Sequence, residues 1–311
     1  MTTLRQEAKT LLAAAGAAPV RALGQCFLVD PNIHQRLVRC FSPQAEEVVI
    51  EIGPGLGFLT RALSPHVRRV VGIERDRRAA AILAAELRAE RATPRDCSHP
   101  GGNVSLVVAD AMLPPLPRHG CGARFIGNLP YHIAVPLLVM LSRTGMGVGR
   151  SIFLVQLELA ARLGAPPGSP ARGAPSVLFQ TRCRLQVLFR VGRSAFWPQP
   201  KVDSVAVEAT FGECPEGSLP WSAAGHATTS AAPSPRQLDL LFDRLVRGSF
   251  THRRKRLSNG IALAGIASRA CATAALQRAE LPDERPEMLS IGQFAALTLQ
   301  LCEAAAPEPV R

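Results

Sequence analysis

Short apolar runs alternate with helical patterns through the first half of the chain. The strand-like runs are Val48–Ile52, Arg69–Ile73, Val104–Val108, Arg124–Gly127 and Ile152–Val155. The helical patterns between and after them are Phe58–Leu63, Arg77–Glu90 with Asp76 as its N-cap, Val135–Leu141 and Glu158–Leu163. This alternation favours a parallel, doubly wound α/β sheet, in which ligands bind at the carboxyl ends of the strands.

Two later runs end the sheet in a different way. Arg184–Val191 and Asp203–Phe211 alternate apolar with polar residues and have no helical pattern between them, which predicts an antiparallel pair at one edge of a seven-stranded sheet. Residues 213–235 are rich in Gly, Ser, Ala and Pro and indicate a linker. We therefore expect an α/β domain over 1–212, a linker over 213–235 and a small helical domain over 236–311.

The composition indicates a globular protein with a polyanionic partner. The 311 residues are 47% apolar and 19% charged. No apolar run approaches the ~18 residues that a membrane span needs. The net charge of +12 favours nucleic acid as the partner. All but three of the 36 basic residues are arginine, which suits phosphate recognition, although a GC-rich genome explains the same bias.

The cysteines and the N-terminus bear on the compartment. Eight scattered cysteines, with no C-x-x-C pair, predict free thiols and no metal site. No secretory signal follows Met1, so we expect a reducing compartment, the cytoplasm. The first 25 residues also faintly resemble an organelle transit peptide, which leaves a mitochondrion or plastid as the alternative. A plain helix over Glu7–Ala15 is the simpler interpretation.

A glycine-rich loop joins the first predicted strand to its helix and consists of Glu51-Ile52-Gly53-Pro54-Gly55-Leu56-Gly57. This is the context that a nucleotide-binding loop requires. A dinucleotide is one candidate ligand, but its phosphate would need amide donors at the helix N-terminus, and Pro54 removes one of them. The loop therefore suits a phosphate-free adenosyl group better.

Two acidic residues stand at the ends of the next two strands. Glu74 lies at the position where an acid accepts hydrogen bonds from both ribose hydroxyls, and a solvated strand end is the alternative. Asp110 follows the third strand, where an acid can accept from the adenine amino group. Its alternative role is the N-cap of a helix.

The fourth strand leads into Asn128-Leu129-Pro130-Tyr131, which suits chemistry on the amino group of a flat base. The Asn128 oxygen and the carbonyl of Leu129 or Pro130 can accept from the amine, and Tyr131 can stack on the ring. Two acceptors would stabilise the positive charge that develops on nitrogen during attack. An ordinary Asn-x-Pro turn is the alternative.

Two further features concern a nucleic-acid partner. Phe196 and Trp197 lie in a proline-rich loop and would either stack on a base or pack in the core. The densest positive patch is Arg253-Arg254-Lys255-Arg256, with Arg247 shortly before it. It would either contact phosphates or form a solvated helix face.

Taken in order, these motifs resemble the ribosomal RNA adenine N6,N6-dimethyltransferases, and the chain is identified as a member of that family. The matching segments are Gly24-Gln25-Cys26-Phe27-Leu28-Val29-Asp30, the Glu51–Gly57 loop, Glu74, Asp110-Ala111, Asn128–Tyr131, Phe196–Ser204, Ser249–Leu257 and Leu281–Ser290. The last two segments resemble the small-subunit enzymes more than the macrolide-resistance enzymes of large-subunit RNA.

The resemblance implies a Rossmann-like methyltransferase that uses S-adenosylmethionine and dimethylates adenine N6 in small-subunit RNA during ribosome biogenesis. It implies a monomer, with the small ribosomal subunit as partner and no metal or membrane. The implied cofactor contacts are Cys26, Leu28, Gly53, Gly55, Glu74, Asp110 and Asn128. The implied catalytic residues are Asn128, Leu129, Pro130 and Tyr131, with Phe196 on the other face of the adenine. The implied RNA contacts are Arg247, Arg253, Arg254, Lys255 and Arg256.

Three positions depart from the family pattern. The family usually has Asn at the position of Cys26, Lys at the position of Leu157 and an aromatic residue near the position of Arg172. The residues of the methyl-transfer centre match the family pattern. An alternative from another class is a nucleic-acid-binding protein like mitochondrial transcription factor B, but those relatives often lose the Asn128–Tyr131 motif. A DNA adenine methyltransferase is a third option, which the helical tail opposes.

Overall fold

A computed structural model describes residues 3–20, 24–92, 103–113, 123–144, 149–214, 219–221 and 233–305. The chain divides into two compact units. The first comprises residues 1–160 and 185–212, and the second comprises residues 161–184 and 213–311. Most of the predicted linker lies outside the described residues.

The first unit is built on a mixed sheet. Its strands are β2 (Val48–Ile52), β3 (Arg69–Glu74), β4 (Val104–Val108), β5 (Arg124–Asn128), β6 (Gly149–Gln156), β7 (Cys183–Val191) and β9 (Ser204–Phe211). They lie in the order β4-β3-β2-β5-β6-β9-β7. The first five strands pair in parallel, and β9 runs antiparallel to β6. The predicted doubly wound sheet with an antiparallel end is therefore confirmed.

Burial explains why the central strands read as unbroken apolar runs. Four of the five residues of β2 are buried, as are Phe125, Ile126 and Gly127 in β5. Helices that cover both faces of a parallel sheet leave no polar side to its inner strands. Glu51 is the one acid in β2, and it is only 1% exposed.

A second, two-stranded ribbon pairs distant parts of the chain. Its strands are β1 (Phe27–Leu28) and β8 (Phe196–Trp197), which run antiparallel with Phe27 opposite Trp197 and Leu28 opposite Phe196. The ribbon therefore brings the Gly24–Asp30 motif beside the proline-rich loop.

The helices of the first unit are α1 (Leu4–Ala14), α2 (Pro31–Phe41), α3 (Phe58–Leu63), α4 (Arg77–Ala92), α5 (Tyr131–Thr144) and the start of α6 (Leu157–Leu163). Asp76 caps α4 as predicted, because its Oδ1 accepts from the Arg78 amide at 2.9 Å. The predicted N-terminal helix is confirmed as α1, which begins earlier because Thr3 caps it.

The second unit is helical. Its helices are α7 (Ala174–Gln180), α8 (Pro235–Thr251), α9 (Leu257–Leu263), α10 (Arg269–Arg278) and α11 (Ile291–Ala305). Ser234 and Gln237 form a capping box at the start of α8. Asp283 holds the start of α9, since its carboxylate accepts from the amide and the hydroxyl of Ser258 at 2.9 and 2.7 Å.

Residues 161–184, which the sequence assigned to the first domain, belong to this second unit. Arg172 is fully buried there and donates from Nη1 to the Ala165 carbonyl at 2.8 Å and to Gln180 Oε1 at 3.3 Å. These internal hydrogen bonds give an arginine an interior position that a sequence pattern does not reveal. Among the described helices, none is long and apolar enough to cross a membrane.

Candidate functional site

A cavity opens at the carboxyl ends of β2, β3 and β5. Its volume is about 1070 Å³, including the solvent at its mouth. It is lined by Gly24 to Leu28, His34, Glu51 to Leu56, Phe58, Leu59, Ile73 to Arg75, Ala109 to Ala111, Asn128 to Pro130 and Ile133. The sequence-predicted residues Cys26, Leu28, Gly53, Gly55, Glu74, Asp110, Asn128, Leu129 and Pro130 thus share one cavity.

The glycine-rich loop turns sharply between β2 and α3. Gly57 has a φ of 83° and donates from its amide to the Pro54 carbonyl at 2.8 Å. A Cβ at Gly57 would lie 2.2 Å from Leu83 Cδ1, so α4 packs against the turn more closely than any side chain permits. A Cβ at Gly53 would lie 3.8 Å from the main-chain oxygen of Asn128, so this loop borders the Asn128 motif.

Glu74 is anchored by main-chain donors on both carboxylate oxygens. Its Oε2 accepts from the Gly55 amide at 3.0 Å and its Oε1 from the Asp76 amide at 2.8 Å. Burial raises the pKa of this carboxyl, and those amide hydrogen bonds oppose the rise. The side chain is 8% exposed and has fixed oxygens in the cavity wall.

Two buried titratable groups in the cavity wall were not singled out as functional from the sequence. Glu51 accepts from Thr60 Oγ1 at 2.6 Å, and burial raises its pKa to about 7, with the Thr60 hydrogen bond opposing and the neighbouring Glu74 adding to the rise. His34 is 3% exposed, and burial lowers its pKa to about 4. Glu51 could have been noticed as an acid inside an apolar strand.

Asp110 follows β4 and lies beside Arg75. Its Oδ1 accepts from the Met112 amide at 2.9 Å within a turn over residues 111–113, with no helix beginning in those described residues, while its Oδ2 lies 3.4 Å from Arg75 Nη1. The Asp110 carboxylate is therefore an oriented acceptor at the edge of the cavity. The sequence reasoning did not single out Arg75.

The Asn128 side chain is held in one orientation. Its Nδ2 donates to the Cys26 carbonyl at 2.8 Å, which leaves Oδ1 to accept from another donor. The Leu129 amide donates to the Leu154 carbonyl at 3.1 Å. The Pro130 carbonyl accepts from the Ile133 and Ala134 amides, both at 3.1 Å, in the first turn of α5. Since Pro130 is engaged, Leu129 is the better candidate for a second acceptor.

The Gly24–Leu28 segment lines the cavity and is held in place by hydrogen bonds. Gln25 donates from Nε2 to Asp76 Oδ2 at 2.7 Å, and its Oε1 accepts from the Val20 amide at 2.8 Å. Cys26 contributes its carbonyl to Asn128, and burial raises the pKa of its half-buried thiol. The main chain at Cys26 therefore makes the contact that orients Asn128.

Phe196 lies in the hydrophobic core of the first unit. Its side chain is fully buried in the main hydrophobic cluster together with Leu28, its partner in the β1–β8 ribbon. It is absent from the described lining of the cavity. The structure thus places Phe196 in the core, which is one of the two alternatives that the sequence left open, and its stacking on an adenine stays a prediction. Tyr131 begins α5, and its side chain lies outside the described structure.

The predicted basic patch lies in the second unit, and one of its side chains, that of Arg253, makes contacts within that unit. Arg253 donates from Nη2 to the Pro170 carbonyl at 2.6 Å, and its Nε lies 3.8 Å from Glu287 Oε1. The other members of the patch, Arg247, Arg254, Lys255 and Arg256, are exposed. Within the described ranges, no group of three or more His, Cys, Asp or Glu side chains could hold a metal ion.

The sheet order and the cavity at the carboxyl ends of the strands place this protein in the class of Rossmann-like methyltransferase folds. The solved structure of a dimethyladenosine transferase from Plasmodium falciparum matches with a TM-score of 0.65 at 20% identity, covering 86% of this chain and 94% of that one. The 23S rRNA methyltransferase ErmE matches with a TM-score of 0.56 at 23% identity, covering 88% of this chain and 99% of that one. These similarities establish the fold.

Sequence comparison identifies the family. The family profile "Ribosomal RNA adenine dimethylase" matches residues 20–211. A protein named ribosomal RNA small subunit methyltransferase A from Kineococcus radiotolerans is 37% identical over 310 residues, covering 96% of this chain and 94% of the relative. Its counterpart from Streptomyces coelicolor is 36% identical over 294 residues, covering 94% of each. The chain therefore belongs to the ribosomal RNA adenine dimethylase family, and the prediction of a methyltransferase is confirmed.

Proposed function

We propose that this protein transfers methyl groups from S-adenosylmethionine to the N6 amino group of adenines in small-subunit ribosomal RNA, giving dimethyladenine. The observation that carries the proposal is the fixed orientation of the Asn128 amide in a cavity whose walls suit an adenosyl ligand. The two bacterial relatives are named for the small subunit, which supports that substrate over large-subunit RNA.

The residues of the cavity fit the proposed cofactor. The Gly53–Gly57 turn lets the ligand approach the main chain, Glu74 offers carboxylate oxygens suited to two ribose hydroxyls, and Asp110 offers an acceptor for an adenine amino group. When bound, S-adenosylmethionine supplies an activated methyl group on a sulfonium. The oriented Asp110 carboxylate and the anchored Glu74 carboxylate support this assignment, because a carboxylate oxygen that accepts one hydrogen bond can accept a second from a ligand.

The target amine would be held by two oxygen acceptors. An exocyclic adenine amine is a poor nucleophile because its lone pair is delocalised into the ring. The Asn128 Oδ1 and the Leu129 carbonyl would accept its two hydrogens and stabilise the positive charge that develops on nitrogen. Holding the amine in line with the methyl group lowers the barrier further by positioning. Tyr131 is proposed to stack on the base.

The ribosomal partner would be held by the second unit. The exposed residues Arg247, Arg254, Lys255 and Arg256 are proposed to contact RNA phosphates, with Arg253 contributing less because it is engaged within its own unit. The proposal also assigns a monomer acting in the cytoplasm during ribosome biogenesis. The bacterial origin of the named relatives supports that compartment over an organelle.

The test is incubation of the purified protein with labelled S-adenosylmethionine and small subunits that lack adenine methylation. We expect label in the small-subunit RNA, with primer extension stopping at dimethylated adenines. Large subunits and DNA containing adenine serve as parallel substrates. Label only in large-subunit RNA or DNA would overturn the substrate assignment, and binding to RNA without transfer would favour the transcription-factor-like alternative.

A further inference from the structure

The N-terminal helix α1 supports the wall of the cavity from behind. It precedes residue 20, where the match to the family profile begins. Its residues Ala8 and Leu12 are 0% and 5% exposed. They form a buried apolar cluster, the α1 cluster, with residues of the β1 segment, the glycine-rich loop, α3 and α4, namely Phe27, Val29, Leu56, Phe58 and Ile82. Three of these, Phe27, Leu56 and Phe58, also line the cavity.

Two polar side chains of α1 fasten the helix to two different elements. Arg5 donates from Nη2 to the carbonyls of Ser194 and Phe196 at 2.9 and 3.4 Å, at the start of β8. Glu7 Oε1 accepts from Arg61 Nη2 at 2.6 Å, and Arg61 lies on α3, the helix that follows the glycine-rich loop. One helix therefore joins the β1–β8 ribbon to α3.

The ribbon that α1 holds carries the carbonyl that orients Asn128. Phe27 packs in the α1 cluster and directly follows Cys26, whose carbonyl accepts from Asn128 Nδ2 at 2.8 Å. The other side of the segment is closed by the Val29 amide, which donates to the Ala195 carbonyl at 2.8 Å. A carbonyl can fix the Asn128 amide only as firmly as its own segment is held. The packing of α1 is therefore one main-chain residue away from the hydrogen bond that orients Asn128.

We propose that α1 is a positioning element for methyl transfer: its packing on the ribbon fixes the Cys26 carbonyl, which in turn fixes the direction of Asn128 Oδ1. The inference rests on the proposed function for the task of Oδ1, but the orientation of the amide is a property of the free protein. Leu12 is the main positioning residue of α1. It contributes more than Glu7, because the ion pair of Glu7 with Arg61 is partly exposed.

The orientation of Asn128 is measured by NMR of the full chain labelled with ¹⁵N at the asparagine side chains. The sequence has four asparagines, Asn32, Asn103, Asn128 and Asn259, so four pairs of side-chain amide signals are expected. Asn128→Ala identifies the Asn128 pair by its loss. In the wild type this pair should exchange slowly with water, because Nδ2 donates to Cys26. In Leu12→Ala it should shift or broaden and exchange faster, while the pair of the exposed Asn32 stays unchanged.

Single-turnover transfer to unmethylated small subunits measures the functional consequence. Leu12→Ala keeps a good helix former, so its effect comes from lost packing. At saturating S-adenosylmethionine and subunits, we expect its transfer rate to fall at least about tenfold, because a small displacement of a catalytic group is costly. Leu12→Met has a similar volume and should restore both the NMR signals and the rate.

Matched variants separate positioning from general stability. Leu87→Ala makes the same change at a residue that is also 5% exposed but packs in the main hydrophobic cluster. It should lower the melting temperature, keep the Asn128 signals and stay within about threefold of the wild-type rate. Lys9→Ala, on the exposed face of α1, should match the wild type. Glu7→Gln should change the Asn128 signals in the same direction as Leu12→Ala but less, which keeps the test decisive if Leu12→Ala does not fold.

The outcomes distinguish this inference from the proposed function. Wild-type Asn128 signals in folded Leu12→Ala, or in Glu7→Gln if Leu12→Ala does not fold, would overturn the role of α1 and leave the methyltransferase proposal standing. Equal losses of rate in Leu12→Ala and Leu87→Ala would assign the effect to general stability and also overturn it. Altered Asn128 signals in Leu12→Ala, in a protein whose wild type transfers no methyl group, would support the positioning by α1 and overturn the proposed function.

Discussion

Replacing Asn128 by alanine should remove methyl transfer while leaving most of the cofactor affinity. The Asn128 amide has one contact in the structure and one proposed contact. Its Nδ2 donates to the Cys26 carbonyl at 2.8 Å, and its Oδ1 is proposed to accept from the target amine. The alanine variant loses both contacts. The contact of Oδ1 with the amine contributes mainly in the transition state, when positive charge develops on nitrogen, whereas the contact with Cys26 contributes in every state.

The two losses differ in size. Loss of a preorganised group that meets developing charge costs about a hundredfold to a thousandfold in rate. Loss of the hydrogen bond to Cys26 costs about 1 kcal/mol, which is about fivefold in an equilibrium constant. We therefore expect the single-turnover rate to fall at least about a hundredfold, and the dissociation constant for S-adenosylmethionine to rise by no more than about tenfold.

Single-turnover transfer of labelled methyl groups to unmethylated small subunits measures the rate, and calorimetry measures cofactor affinity. Asn32→Ala is a matched control, because Asn32 is exposed in the first turn of α2 and does not line the cavity. It should match the wild type in both assays. The reasoning fails if Asn128→Ala turns over within about threefold of the wild type, or if its loss of cofactor affinity accounts for the whole loss of rate.

Two more experiments test the proposed cofactor contact of Glu74 and the proposed RNA contacts of the basic patch. Glu74→Ala should weaken S-adenosylmethionine binding about tenfold to a hundredfold in calorimetry, because two ribose hydroxyls lose their acceptor; wild-type affinity would contradict this. Changing both Arg254 and Arg256 to Glu should weaken binding to small subunits and reduce the slope of log affinity against log salt by about two. The paired control changes Arg68 and Arg69, exposed at the amino end of β3, to Glu, and an equal fall in slope there would argue against a specific RNA surface.

The sequence predicted the sheet well because its central strands are buried on both faces and its turns have strong local signals. Val48–Ile52 and Arg69–Ile73 read as strands, and the structure extends the second by one residue to Glu74. Asp76 was recognised as a helix cap because Asp before a helical pattern is a local signal. The sequence placed residues 161–184 with the α/β domain, whereas they cluster with the second unit, because which residues pack together is set by tertiary contacts that a local pattern does not show.

Within the site, the sequence predicted residues that a local motif carries and missed those that depend on tertiary packing. Glu74 at the end of β3 and Asp110 after β4 were singled out from the sequence, and both line the cavity. Glu51 was quoted as part of the loop, but its burial and its contact with Thr60 become apparent only when α3 packs on β2. For Phe196 the sequence left stacking on a base and packing in the core both open, and only the ribbon pairing with Leu28 shows that the ring lies in the core of this structure.

The departure at Cys26 illustrates why one altered side chain need not disable the site. The group that orients Asn128 is the main-chain carbonyl of Cys26, which any residue at that position supplies. The carbonyl is placed by neighbours, since Gln25 is tied to Asp76 and the next residues, Phe27 and Leu28, pair in the β1–β8 ribbon. An asparagine at this position could add a contact to the cofactor, but it is not needed to hold the Asn128 amide. The structural demand at residue 26 is therefore for a fixed backbone, and the cysteine meets it.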